Sequence, residues 1–105
     1  MTRQENDSNG APGRIKLRLY VAGRAPNSAR ALTNLETICE EYGKDRFEIE
    51  IVDVLDDPLR ALEDRVLVTP TLIKMAPPPT IQIAGDLSRR YDVLHALGLT
   101  PWNEA

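Results

Sequence analysis

Apolar and polar residues alternate early in the chain: Ile15, Leu17, Leu19 and Val21 fall on one phase, Lys16, Arg18 and Tyr20 on the other. A period of two marks a half-buried strand and predicts one over 15–22. Gly23 and Pro26 then signal a loop. From Asn27 or Ser28, either of which can cap a helix, the period changes. Ala31, Leu32, Leu35, Ile38, Cys39 and Tyr42 recur at helical spacing, and Gly43 suits the left-handed residue just beyond the last turn. Alternation returns in Phe47, Ile49 and Ile51 against Glu48 and Glu50, predicting a strand over 46–54. Asp56 or Asp57 followed by Pro58 opens a short helix over 59–64, with proline at a position whose N–H would have no partner anyway. The stretch 66–75 is apolar and β-branched but contains Pro70, which cannot donate to a central ladder and so begins or interrupts a strand. Beyond Pro77, Pro78 and Pro79, residues 80–84 read as another strand, with Ile81 and Ile83 on one face. A last helix over 88–97 carries Leu87, Tyr91, Leu94 and Leu97 along one stripe. Asp86 or Ser88 is its candidate cap, Gly85 permits the turn before it, and Gly98 is its stop.

The predicted order is β-α-β-α-β-β-α. A strand–helix–strand opening implies a right-handed parallel crossover, and two strands joined by the proline turn pair antiparallel. An α/β fold with a mixed sheet in this order is thioredoxin-like. Residues 1–14 lack periodic apolar positions and read as a flexible tail, 15–98 as one domain, and 99–105 as a short C-terminal tail. Trp102 in that tail is either an exposed anchor or a side chain packed back on the sheet. His95 faces away from the Leu94/Leu97 stripe and receives no role.

Composition narrows the function. A chain of 105 residues suits one domain, and 42% apolar residues suffice for a core without metal or disulfide staples. The formal charge of −3 argues against nucleic acid as the main partner. No apolar run reaches the ~20 residues of a membrane span, and the polar N-terminus lacks a secretory h-region, so a cytoplasmic location is expected. Cys39 is the single cysteine, which excludes an intramolecular disulfide and any CxxC site. In a thioredoxin-like enzyme the reactive cysteines would open the first helix, where the dipole lowers a thiol pKa. Here that stretch is Gly23-Arg24-Ala25-Pro26-Asn27-Ser28, while Cys39 lies on the apolar stripe as a small core side chain. Thr69-Pro70-Thr71 stands where such folds place a cis proline, either that or a simple bend before a strand. The scaffold is expected without its redox chemistry: no enzyme, no catalytic residue, no cofactor and no metal.

Tyr20-Val21-Ala22-Gly23, Pro26-Asn27-Ser28 and Arg30-Ala31-Leu32 resemble the opening of the KaiB family of circadian clock proteins. The likeness continues through Asp53-Val54-Leu55 with Pro58, Glu63-Asp64, Thr69-Pro70-Thr71-Leu72, Pro77-Pro78-Pro79 and Gly85-Asp86-Leu87-Ser88, in order from Ile15 to Leu97. The resemblance implies a binding protein that docks on the N-terminal ATPase ring of a hexameric KaiC, captures KaiA there and displaces a sensor histidine kinase. It also implies fold switching between a tetrameric resting βαββααβ state and a monomeric thioredoxin-like state, with the segment from Asp56 onward changing. Within that segment Pro70, Pro77, Pro78, Pro79, Gly85, Asp86 and Ser88 are the expected fold-determining positions, and monomer, dimer and tetramer all remain open. By motif, Arg30 and Lys74 match basic residues that contact KaiC, and Arg65 replaces a family lysine. Thr80, Ile81 and Gln82 depart from the basic residues many KaiB proteins carry after the triple proline. That departure motivates a second reading, a KaiB paralogue in stress or two-component signalling that binds a histidine kinase or another partner. A thiol oxidoreductase stands far behind both.

Overall fold

The computed structural model describes residues 13–99. Most of both expected tails, Trp102 included, lies outside the described residues. Four strands, β1 (Ile15–Val21), β2 (Phe47–Asp53), β3 (Thr71–Ala76) and β4 (Ile81–Ala84), alternate with helices α1 (Pro26–Tyr42), α2 (Pro58–Glu63) and α3 (Arg90–Leu97). The chain order is thioredoxin-like βαβαββα, not the alternative βαββααβ.

One sheet contains the strands in the order β2-β1-β3-β4. β1 pairs parallel with β2, from Ile15↔Phe47 to Val21↔Asp53, which is the expected crossover across α1. β3 runs antiparallel to both β1 and β4. The sheet has two covered faces. On one, Leu17, Leu19 and Leu72 pack with Leu35 and Ile38 of α1 and with Val93, Leu94 and Leu97 of α3. Leu99, one residue past the expected domain end, is buried in the same cluster. On the other face, Tyr20, Val52 and Ile73 meet Ala61 of α2 and Val66.

Several local expectations shift. The strand predicted within 66–75 begins only at Thr71, with Pro70 immediately before it and the Thr69–Pro70 bond cis. Ile49 and Ile51 share the phase of buried Phe47 yet stay partly exposed: β2 is an edge strand, and beside Ile49 a cleft bordered by Glu36, Cys39 and Glu40 opens to solvent. Tyr91 leaves the expected stripe of α3 at 64% exposure, and Val93 takes its place in the core.

The caps also differ. α1 begins at Pro26, one to two residues early, with Ala25 at its N-cap and no side-chain cap. Proline's fixed φ suits the first helical position, and Ser28 is used elsewhere: its buried Oγ accepts from the Ala22 amide at 3.0 Å. Neither Asp56 nor Asp57 gives α2 a side-chain cap, although Pro58 is its first residue. α3 begins at Arg90 rather than Ser88, because Asp86 Oδ1 accepts from the Ser88 amide at 3.0 Å and closes a turn ahead of the helix.

Candidate functional site

The start of α1, where this scaffold would carry thiols, holds Pro26, Asn27 and Ser28. Cys39 lies further along α1 and is buried. Burial first, then the nearby carboxylates of Glu36 and Glu40, push its thiol up to about 11. A thiolate is the reactive form, so Cys39 is inert near neutral pH. Among the described residues no cluster of three or more His, Cys, Asp or Glu could hold a metal ion. No helix there is long and apolar enough to cross a membrane.

Binding groups are present instead. The loop after β2, the short helix α2 and the segment before Pro70 expose Leu55, Leu59, Leu62, Leu67 and Val68, each by more than half and Leu67 by 90%. Leu55, Leu59 and Leu62 follow helical spacing, yet they point outward, and Ala61 is the residue of α2 that is buried. Large apolar patches on a soluble surface mark interaction sites. A shallow cavity of ≈ 270 Å³ opens beside them, lined by Val54, Ala61, Val66, Leu67, Val68 and Thr69. Arg65 projects from the same stretch, exposed and held at φ 60. Its amide donates to the Leu62 carbonyl at 3.0 Å, so a left-handed residue closes α2. A basic side chain beside exposed leucines suits an apolar partner surface with an acidic rim.

The other two expected cations sit elsewhere. Arg30 is exposed on α1, with Nε 3.5 Å from Asp86 Oδ2 and its guanidinium donating to Asn27 Oδ1. Lys74 lies in β3 between Leu17 and Ile81, and only 5% of it is exposed. Its stem therefore belongs to the core face, and its ammonium has no hydrogen-bond or ion-pair partner among the described residues. No hydrogen bond or ion pair joins Arg30, Arg65 and Lys74.

Four of the expected fold-determining residues, Pro70, Gly85, Asp86 and Ser88, form a connected group at one end of the sheet. The Gly85 amide donates to the Pro70 carbonyl at 2.9 Å, with Gly85 at φ 110. Asn34 Nδ2 donates to the Asp86 carbonyl at 2.8 Å, fastening the turn to α1. Asp86 is held below the usual carboxylate range chiefly by bonds from Ser88, with Arg30 adding to them. Pro77, Pro78 and Pro79 stand apart, exposed in the link between β3 and β4.

Sequence reasoning missed a polar network under α2. Tyr20 is fully buried, and its hydroxyl donates to Asp64 Oδ2 at 2.6 Å while lying 3.0 Å from the Arg60 carbonyl. Arg18 reaches Asp64 at 2.8 Å and Glu50 at 2.9 Å, and Arg60 pairs with Glu50 at 2.7 Å. The Gln82 amide adds a bond to the Asp64 carbonyl at 2.8 Å. Burial, then the bond to Asp64, push the Tyr20 hydroxyl up to about 12. Glu50 is lowered to about 2, mainly by Arg60 and then by Arg18. Burial alone would raise Asp64, but bonds from Tyr20 and Arg18 outweigh it and hold the carboxyl low. The available sequence signal was the polar phase of β1, which puts Arg18 and Tyr20 on one face.

The comparisons agree with this geometry. The KaiB domain family model matches residues 18–99. Circadian clock protein KaiB3 of Synechocystis sp. is 47% identical over 88 residues, covering 84% of this chain and 86% of the relative. Circadian clock oscillator protein KaiB of Gloeothece citriformis is 51% identical over 83 residues, covering 79% and 78%. Among solved structures, the N-terminal domain of Synechococcus elongatus SasA superposes with a TM-score of 0.69 at 22% identity, covering 93% of this chain and 91% of that one. The thioredoxin Deadhead of Drosophila melanogaster gives 0.67 at 12% identity, covering 87% of each chain. Those two likenesses concern the fold alone. The sequence matches over most of the chain, on a thioredoxin-like scaffold without thiols at its reactive position, show that this protein belongs to the KaiB family of circadian clock proteins.

Proposed function

We propose that the protein is a non-catalytic regulator that works in the cytoplasm by docking on the N-terminal ATPase ring of a KaiC-type hexamer. The observation that carries this reading is the apolar patch of Leu55, Leu59, Leu62, Leu67 and Val68 with Arg65 at its edge. Arg30 is a second cation available on α1, whereas Lys74, buried on the core-facing side of β3, is not offered to a partner in this fold. KaiA and a sensor histidine kinase are the further partners that this role brings with it. The segment from Asp56 onward refolds between a self-associated resting state and the thioredoxin-like order. Pro70, Gly85, Asp86 and Ser88, joined as described, bias the chain toward the latter, and Pro77 to Pro79 set the link between its last two strands. Any ligand or contact present in only one of two states shifts the balance toward it.

Size-exclusion chromatography with light scattering tests the docking, with a purified KaiC-type hexamer in ATP and in ADP. The expected result is a complex in one nucleotide state that Arg65→Glu weakens by about tenfold or more, the loss of one well-placed interface contact. Absence of a complex in every nucleotide state overturns the reading. The sequence Thr80-Ile81-Gln82 favours a second reading, in which a histidine kinase is the principal partner. A complex with such a kinase, without one to the hexamer, would select it.

A further inference from the structure

Apolar packing holds α2 weakly. Of its six residues only Ala61 is buried, whereas Leu59 and Leu62 stay about two-thirds exposed. The flanks add little: Leu55 and Leu67 are exposed, and Val66 is the one further buried apolar side chain between 55 and 69. Burying an alanine and a valine removes little apolar area compared with a helix that sinks its leucines. What fastens this stretch to the sheet is polar. Asp64, the residue that ends α2, gathers Tyr20 and Arg18 of β1 on its carboxylate and Gln82 of β4 on its carbonyl. Arg60 ties the middle of α2 to Glu50 of β2.

From this contrast we infer that residues 55–69 form a strap, buckled by Asp64, which lifts from the sheet as a unit while all four strands stay paired. Opening costs the network and two small apolar contacts, far less than opening the face beneath α1 and α3. Regions with few buried apolar contacts open below the global unfolding free energy. Lifting the strap bares Tyr20, Val52 and Ile73, the surface that α2 now covers. This motion is distinct from refolding of the second half, because β3 keeps both of its neighbours. It depends on no particular partner.

Hydrogen exchange followed by NMR on the full chain near neutral pH tests the strap. The reporters are the amides of Asp64, Arg65 and Val66, which bond to Arg60, Leu62 and Ala61, against the strand amides of Leu17, Leu19 and Leu72. Asp64→Ala should speed exchange in the first set roughly tenfold to a hundredfold, the range for loss of charge-assisted bonds, and the second set by less than about twofold. Equal acceleration of both sets overturns the strap, since the fold would then open as one unit. No acceleration overturns the role of Asp64 as its buckle. Faster exchange at Leu72 with an unaffected Leu17 would mean that β3 departs, which also counts against it. Tyr20→Phe removes one hydroxyl and keeps the ring. It should show the same pattern at smaller amplitude, and it supplies the readout if Asp64→Ala does not fold.

Discussion

Gly23 shows how much one position can carry. Its φ of +54 lies in the left-handed region, its amide donates to Asp53 Oδ1 at 3.0 Å, and an added Cβ would stand 3.0 Å from Leu55 Cδ1. Leu55 is exposed and can yield, so the backbone conformation sets the cost. Gly23→Ala should lower stability by about 1 kcal/mol. Urea unfolding checks this as a lower midpoint at unchanged slope. From the sequence, Gly23 was legible as a loop residue, but its bond to Asp53 spans thirty positions and leaves no local trace. Cys39 was fully legible, because a cysteine on a helix's apolar stripe has the core as its local solution.

At the level of elements, strands and helices followed their periods while their ends did not. Ser28 and Ser88 have the right chemistry for caps, yet Ser28 Oγ serves the Ala22 amide and the Ser88 amide closes the Asp86 turn. A cap depends on which acceptor lies nearest in the finished fold, and propensity cannot see that. Ile49 and Ile51 expose the same limit. Alternation identifies a face, whereas position in the sheet decides whether anything covers it.

The bonds between α2 and the sheet carry a pH dependence. Glu50 is lowered to about 2 and Asp64 is also lowered, so the folded state keeps both carboxylates ionised where the unfolded chain already binds protons. Their contribution is complete above the unfolded carboxylate pKa of roughly 4 and is lost as pH falls through their lowered values, about 2 for Glu50. Thermal melts from pH 6 to pH 2 should show a falling midpoint below about pH 4. In Glu50→Gln that fall should be shallower, with a lower midpoint at pH 6.

Across the whole molecule, the order of elements, the parallel β1–β2 crossover and the antiparallel β3–β4 pair were readable from periodicity and proline placement, whereas the antiparallel pairing of β1 with β3 was not. The patch on α2 was not. Leu55, Leu59 and Leu62 have the spacing of a core-facing stripe, and nothing local says that a six-residue helix will turn it outward. That inversion has a measurable consequence. Leu67→Asp, at a site 90% exposed, should change folding stability by no more than about 0.5 kcal/mol. The same substitution should weaken a complex with a KaiC-type hexamer by about tenfold or more. Denaturation and binding measured on one preparation separate the two effects.

The outermost position of β2 also bears on the molecule's behaviour in concentrated solution. One side of this strand has a neighbour and the other offers its main chain to any passing strand, including another β2. If two copies met there side by side in register, Glu48 of each would crowd against its counterpart, and mutual repulsion would oppose stacking into fibrils. A glutamate that looks like plain surface charge thus acts as a guard on an open seam.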